Sequence, residues 1–220
     1  MSRVRVVVAG AAGKVGRAVC AAVEAAEDLE LTGRADPALG VALADVLGEA
    51  DVVVDFTRPD QALDNARACL DAGVHVVIGT TGFDLEALRA AAGASGAANA
   101  FVAPNFAIGA VLMMRFAAEA SRHMAHAEIV EAHNPAKLDA PSGTAARTAE
   151  MMEGEVPIHS IRLTGVVADQ QVVLGDVGQT LTIEHRTTDR MAFTPGVPLA
   201  VRRVASLPDR LTVGLEQLLD

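Results

Sequence analysis

Short apolar runs alternate with longer helical patterns over the first hundred residues. Val4–Ala9 has the composition of a buried strand, and apolar residues between Val15 and Ala26 then recur at the i, i+3 and i+4 spacing of a helix. The same alternation predicts strands over residues 29–32, 52–56, 74–78 and 100–103 and helices over 61–72 and 85–94. Strands that alternate with helices of this length indicate βαβ units and therefore a Rossmann-like α/β domain with a parallel sheet.

The pattern changes after Pro104. A helix is predicted over 108–122 and a strand over 128–132, and three further strands, 158–163, 166–174 and 181–185, follow without helices between them. Consecutive strands indicate a mixed sheet in a smaller α+β domain. A last helical pattern, 196–205, is expected to return to the first domain. We therefore predict one domain of residues 1–105 with 192–220, and a second of residues 106–191.

Composition and charge narrow the class of protein. The chain has 51% hydrophobic residues and a net charge of −10, from 18 Lys and Arg against 28 Asp and Glu, so we do not expect nucleic acid as a partner. The longest apolar runs are well short of the ~20 residues that a membrane span needs. We expect a cytoplasmic protein without a membrane partner. The surroundings of Cys20 and Cys69 favour buried thiols over a disulfide, and no metal site is predicted.

A glycine-rich segment with the spacing G-x-x-G-x-x-G joins the first strand to the first helix. Its residues are Gly10, Ala11, Ala12, Gly13, Lys14, Val15 and Gly16. Backbone amides at such a helix N-terminus bind a pyrophosphate, which predicts a dinucleotide-binding domain. Asp36, twenty residues beyond Gly16, has the position and charge to accept hydrogen bonds from ribose hydroxyls. Two alternatives stay open: the glycines serve only helix packing, and Asp36, which precedes Pro37, serves only a turn.

Two later loops follow predicted strands at the sheet edge where open α/β sheets bind ligands. They contain the candidate cofactor residues Gly79, Thr80 and Thr81, and Ala103, Pro104, Asn105 and Phe106. Gly and small hydroxyl residues allow backbone contact with a nicotinamide and its ribose. Ordinary loop formation explains either segment alone equally well. The chain has no Tyr, which excludes the short-chain dehydrogenases and their Tyr-x-x-x-Lys acid.

Residues 131–145 carry the most unusual grouping in the chain. Pro135 and Pro141 exclude a continuous helix, so a loop is predicted to display His133 and Lys137 before a new helix begins. That helix begins with Ser142, Gly143 and Thr144. Hydroxyls and amides at a helix N-terminus bind a carboxylate, Lys supplies positive charge, and His supplies a proton near neutral pH. The pattern favours hydride transfer to a small carboxylated substrate over the alternative of a simple helix cap with a surface His.

At this segment the chain resembles the 4-hydroxy-tetrahydrodipicolinate reductases, or dihydrodipicolinate reductases, of the diaminopimelate route to lysine. The resemblance extends over almost the whole chain and is most specific in Lys-x-Asp-x-Pro-Ser-Gly-Thr, residues 137–144. It also includes residues 8–17, 55–57, 79–83, 103–106 and 189–190.

The resemblance implies a cofactor, a substrate and a role for each site residue. The glycine-rich segment, Asp36 and the two later loops would hold NADH or NADPH. His133 corresponds to the family's general acid and Lys137 to the charge that stabilises the substrate, a small dicarboxylate. The substrate would contact Asn134, Ser142, Gly143, Thr144 and Arg190. Family members form homotetramers through the second domain, which predicts a substrate-binding and oligomerisation domain here.

Three features depart from the family pattern. Asn134 stands where a second His is usual, Asp169 stands where His is often found, and the chain is short around residues 152–157. The first two keep open a related reductase that acts on another cyclic imine or enamine carboxylate. A protein that senses NAD(P)H without catalysis is a further alternative, although such a sensor needs neither the acid nor the carboxylate-binding residues.

Overall fold

The computed structural model describes residues 2–219, apart from the side chain of Arg190. Contacts between residues divide the chain into two compact units, residues 1–106 with 193–220, and residues 107–192. Each boundary that the sequence predicts between the two units lies one residue earlier in the chain than the boundary in the structure.

The first unit is built on a six-stranded sheet in which all paired strands are parallel. The strands are β1 Val4–Ala9, β2 Leu29–Ala35, β3 Val52–Asp55, β4 His75–Ile78, β5 Ala100–Val102 and β10 Leu211–Val213. Their order is β2-β1-β3-β4-β5-β10, so the direction of winding reverses between β1 and β3. Ligands of open α/β sheets bind at such a reversal, outside the carboxyl ends of the strands.

Helices connect these strands and bury their apolar faces against the sheet. They are α1 Lys14–Ala25, α2 Leu43–Val46, α3 Pro59–Asp71, α4 Leu85–Ala94 and α7 Gly196–Val204, with 3-10 turns at Pro37–Leu39, Leu47–Glu49 and Leu215–Leu218. In α1 the buried positions Gly16, Val19, Cys20 and Val23 follow the helical spacing that the sequence predicts. Central strands such as β1 and β3 are apolar almost throughout because helices cover both faces of a parallel sheet.

The second unit contains a four-stranded mixed sheet in the order β7-β6-β8-β9. Its elements are α5 Ile108–Ser121, β6 His126–His133, α6 Gly143–Met151, β7 Ile158–Arg162, β8 Ala168–Asp176 and β9 Gln179–Thr187. β6 is parallel to β7 and antiparallel to β8. Ile129, Val172 and Leu174 on one face of the sheet pack with Met113 and Ala145 from the two helices. A 3-10 turn, Arg190–Phe193, leads out of this unit.

The structure confirms the predicted fold class of a parallel-sheet α/β unit with a smaller mixed-sheet unit. The sequence did not predict α2 or the edge strand β10, which are only four and three residues long. Cys20 and Cys69 are buried free thiols, as expected. No helix in the described residues has the length and hydropathy to cross a membrane.

Candidate active site

The glycine-rich loop is closely packed by its own backbone. Gly10 has φ +79°, and its N–H and that of Ala11 donate to the carbonyl of Ala35 at 2.9 and 3.3 Å. A Cβ on Gly16 would lie 2.0 Å from the carbonyl oxygen of Gly10. Helix packing therefore does require these glycines. The same packing exposes the start of α1, where no side chain caps the helix and the first-turn amides can face an anion.

Asp36 follows the last residue of β2 and has a structural function. Its two carboxylate oxygens accept the N–H groups of Ala12, at 3.0 Å, and Ala38, at 2.8 Å. Asp36 thus forms the turn at Pro37 and also fixes the glycine-rich loop. Arg34, the basic group nearest to it in sequence, pairs with Glu24 at 2.5 Å.

Asp55 joins the loops at the carboxyl ends of β3 and β4. The carboxylate is fully buried and accepts the N–H and hydroxyl of Thr57, the hydroxyl of Thr80 at 3.0 Å and the amide of Asn65 at 2.8 Å. Gly79 lies against the ring of Phe56, where a Cβ would come within 2.1 Å. These contacts fix the loop of Gly79, Thr80 and Thr81.

The third candidate cofactor loop lies beside the second. Ala103 donates its N–H to the carbonyl of Ile78 at 3.1 Å, and the ring centroids of Phe56 and Phe106 are 5.6 Å apart. The structure therefore brings all three predicted cofactor loops to one edge of the parallel sheet. That edge includes the reversal between β1 and β3, as a dinucleotide site requires.

In the second unit, β6 places His133 at its last position, so the prediction that a loop displays this residue is wrong. The turn begins at Asn134, whose carbonyl accepts the N–H of Lys137 and whose side chain accepts the N–H of Ala136, both at 3.0 Å. The side-chain oxygen of Asn134 is thus occupied in shaping the turn.

Lys137 forms an ion pair with Asp139, at 2.8 and 2.9 Å from its two oxygens. This contact holds the pKa of the Asp139 carboxyl below its usual value. Asp139 is 63% exposed, and exposed pairs contribute little free energy, so a substrate carboxylate can replace Asp139 as the partner of Lys137.

The helix that follows begins with its own cap. Ser142 is buried, and its hydroxyl accepts the N–H of Ala145 at 3.2 Å, which is the capping role that the sequence left open. Gly143 is the first helical residue, and nothing lies within 4 Å of its would-be Cβ. The carbonyl of Thr144 accepts the hydroxyl of Thr148 at 2.8 Å. Backbone N–H groups, more than the Ser142 hydroxyl, are therefore what this helix can offer an anion.

One buried carboxylate connects these parts. Glu131 accepts hydrogen bonds from His133 Nδ1 at 2.5 Å, from the Ser142 N–H at 3.2 Å and from two nitrogens of Arg162 at 3.0 Å each. Burial acts to raise the pKa of this carboxyl, but hydrogen bonds from Arg162, Ser160 and His133 outweigh it and bring the pKa to about 2. Glu131 is therefore charged at neutral pH, beside a His that is 16% exposed.

The sequence interpretation missed Glu131 and Arg162. Glu131 could have been found, because residues i and i+2 of a strand share a face and His133 was already a candidate. Arg162 had no such signal, since its position opposite His133 depends on the pairing of β6 with a strand thirty residues later. The predicted contact of Arg190 with substrate concerns a side chain outside the described part of the structure.

Comparison with known proteins gives matches over the whole chain. The family models for "Dihydrodipicolinate reductase, N-terminus" and "Dihydrodipicolinate reductase, C-terminus" match residues 4–106 and 109–219. The 4-hydroxy-tetrahydrodipicolinate reductase of Thermobifida fusca is 48% identical over 246 positions, and that of Mycolicibacterium smegmatis 45% identical over 244; each match covers 98% of this chain and 99% of the relative. The second alignment exceeds the 220 residues of this chain by 24, so that relative has at least 24 positions without a counterpart here.

Solved structures agree with the sequence matches. A dihydrodipicolinate reductase from Paenisporosarcina sp. TG-14, solved with dipicolinate bound, superposes with a TM-score of 0.86 at 33% identity, covering 99% of this chain and all of the other. An aspartate semialdehyde dehydrogenase from Vibrio cholerae, at a TM-score of 0.61 and 12% identity over 91% of this chain and 99% of the other, shares the fold alone. The chain belongs to the dihydrodipicolinate reductase family.

Proposed function

We propose that this protein catalyses the NAD(P)H-dependent reduction of 4-hydroxy-tetrahydrodipicolinate to tetrahydrodipicolinate in the diaminopimelate route to lysine. The observation that carries the proposal is the arrangement around His133. A proton donor anchored by a buried carboxylate, a Lys with an exchangeable partner and a helix N-terminus occur within twelve residues. A cofactor-binding protein without catalysis needs none of these three.

The first unit fits NADH or NADPH. The closely packed backbone at Gly10 and Gly16 holds the loop at the N-terminus of α1, which begins without a side-chain cap and so offers its first-turn amides to a pyrophosphate. Asp36 would accept hydrogen bonds from the adenosine ribose through lone pairs that its backbone contacts leave available. The loops of residues 79–81 and 103–106 would hold the nicotinamide half. When bound, the cofactor supplies a hydride to a ring carbon of the substrate.

The second unit fits a small dicarboxylate. Lys137 would exchange Asp139 for one substrate carboxylate, and the N–H groups at the start of α6 would bind it from another direction. 4-Hydroxy-tetrahydrodipicolinate must lose its 4-hydroxyl as water to become a conjugated imine. Hydride addition to that imine leaves an enamine-type anion, which His133 would protonate. Asn134, Thr144 and Arg190 would complete the substrate contacts. The relative solved with dipicolinate supports a ligand that carries two ring carboxylates.

We further infer that the protein acts as a cytoplasmic homotetramer. The face of the second sheet turned away from α5 and α6 carries partly exposed apolar residues on three strands, Val130, Val173 and Ile161. Such a face is a suitable surface for pairing with other copies of the chain.

Turnover tests the proposal directly. Oxidation of NADH and of NADPH would be followed by absorbance, with substrate generated freshly by a synthase from pyruvate and aspartate semialdehyde. We expect turnover by the wild type and a loss of about 100-fold or more in His133→Ala and in Lys137→Ala. Arg122→Gln, which removes an exposed charge from the end of α5, should retain wild-type activity.

Two results would contradict the proposal. Equal losses in Lys137→Ala and Arg122→Gln would show that the charge of Lys137 has no special role. Tight cofactor binding with no turnover by the wild type would favour another cyclic imino acid as substrate, or a sensor.

A further inference from the structure

We propose that Glu131, together with Arg162, is a positioning residue that fixes His133 with its Nδ1 proton donated inward, so that Nε2 is the nitrogen that gives the proton to the substrate. The inference rests on the proposed function and adds which atom of His133 reacts and what holds it. It concerns two residues that act through His133 and do not contact the substrate themselves.

The hydrogen bonds to Glu131 determine the direction of the His133 ring. Oε2 lies 2.5 Å from His133 Nδ1 and 3.0 Å from one Arg162 nitrogen, and Oε1 lies 3.0 Å from the other Arg162 nitrogen and 3.2 Å from the Ser142 N–H. An ionised carboxylate only accepts hydrogen bonds, so Nδ1 must carry a hydrogen in both charge states of the ring. The proton that leaves and returns during turnover is therefore the one on Nε2.

The surroundings of Glu131 show why two residues are needed. The carboxylate has no exposed surface and shares its sheet face with Ile129, which is also fully buried. A buried charge is costly unless it is paired and hydrogen-bonded on all sides, and replacing such a pair by apolar residues often stabilises a protein. Arg162 supplies the pairing, and its second nitrogen also donates to the carbonyl of Asp139 at 2.6 Å. The Arg162 guanidinium thus contacts both Glu131, which holds His133, and Asp139, which pairs with Lys137.

The charged groups around His133 show which of them holds the ring. Glu131 lies on its own strand, Arg162 on β7, and Lys137 and Asp139 on the following loop; on the other side β8 presents the neutral Gln170, and His185 on β9 lies beyond it. Glu131 is the negative charge in direct contact with the ring. Its conversion to Gln removes the ionised acceptor that holds the Nδ1 proton, so the ring can then carry its single proton on either nitrogen.

The test compares Glu131→Gln with Glu119→Gln. Glu119 is a matched control because it also contacts one Arg and one His, Arg122 at 2.9 Å and His123 at 3.4 Å, but on the exposed end of α5. For Glu131→Gln we expect kcat to fall about 100-fold and KM to change less than about threefold. Glu119→Gln should match the wild type in both. A Glu131→Gln enzyme with wild-type kcat would overturn the inference, as would a lower kcat/KM caused mainly by a higher KM.

Two further measurements test the inference if Glu131→Gln does not fold or if the proposed function fails. The double variant Glu131→Gln, Arg162→Gln leaves no unpaired buried charge, and we expect from it the same loss of kcat with little change in KM as from Glu131→Gln. In wild-type protein labelled with 15N-histidine, the His133 signals, identified by their loss in His133→Ala, should show Nδ1 protonated and Nε2 unprotonated in the neutral ring. A ring protonated on Nε2 instead would overturn the inference. This spectrum needs no substrate, so it separates the inference from the proposed function, which fails if the wild type does not turn over.

Discussion

Buried polar residues determine the geometry of both halves of the candidate site. Asp55 in the first unit and Glu131 in the second are each fully buried, and each accepts several hydrogen bonds from residues distant in sequence. The sequence alone predicted candidate ligand-binding groups, because Gly, His, Lys and Ser occur there in specific local patterns. It did not predict a role for Asp55, whose partners Asn65 and Thr80 meet it only after the chain has folded. It did not predict a role for Glu131 either, whose one local signal was the i, i+2 spacing to His133.

Asp55→Asn should destabilise the first unit and weaken cofactor binding. In this variant an NH2 group replaces one of the carboxylate oxygens that accept hydrogen bonds from Thr57, Thr80 and Asn65. At least one of these buried donors therefore loses its acceptor. We expect the free energy of unfolding to fall by about 2–3 kcal/mol. The dissociation constant of NADPH should rise about tenfold or more, since Asp55 holds the candidate cofactor loop of residues 79–81 through Thr80. Urea denaturation and a fluorescence titration with NADPH would measure both.

Asp51→Asn is the matched control, at the other end of the same strand. Asp51 pairs with Arg5 at 2.7 Å, but both side chains are more than two-fifths exposed, so this variant should lose less than about 1 kcal/mol and bind NADPH normally. If the two variants lost the same stability, the hydrogen bonds of Asp55 would not be fixing the loops.

At the scale of elements, periodicity predicted the long helices and central strands well. The predicted helix 85–94 coincides with α4, and most other bounds differ by one to three residues. β10 was missed because a three-residue strand with one polar position gives no recognisable alternation; its place beside β5 comes from tertiary pairing. His133 was assigned to a loop because Pro135 follows closely, but pairing with β7 and β8 extends β6 through it.

Gly16→Ala tests whether the start of α1 depends on close backbone packing. The added Cβ would lie 2.0 Å from the Gly10 carbonyl oxygen, within backbone that cannot yield without displacing the loop. We expect NADPH affinity to fall at least tenfold and unfolding stability to drop by about 1–3 kcal/mol.

Gly93→Ala makes the same change within α4, where nothing lies within 4 Å of the new methyl group. It should leave NADPH binding unchanged and raise stability by up to about 1 kcal/mol, because Ala favours a helix. Isothermal titration and urea denaturation of both variants would measure these effects. Normal cofactor affinity in Gly16→Ala would exclude the proposed role of this loop.

The four-stranded sheet of the second unit has one face that α5 and α6 leave uncovered. That face is apolar in parts, although the edges of the sheet are polar and charged. Val173 on β8 and Ile161 on β7 lie on that face, which α5 and α6 do not cover. The sequence predicted a tetramer only through its resemblance to a family, because alternation in a strand shows that a face is apolar without showing what covers it. Aligned relatives have at least 24 positions that this chain lacks, so assembly has to be tested on this chain itself.

We expect four copies of the 22.7 kDa chain, about 91 kDa, when the mass is measured by size-exclusion chromatography with light scattering. Val173→Asp should lower that mass, because a charge on the apolar face would be buried without a partner in the assembly. Val177→Asp places the same charge at the tip of the β8–β9 turn, where the native side chain is 94% exposed, and should leave the mass unchanged. A wild-type mass near 23 kDa at micromolar concentration would show that this shorter chain does not assemble. Turnover by such a monomer would then show that the residues of one chain suffice for reduction. This outcome is possible because His133, Lys137, Glu131 and Arg162 all belong to the second unit.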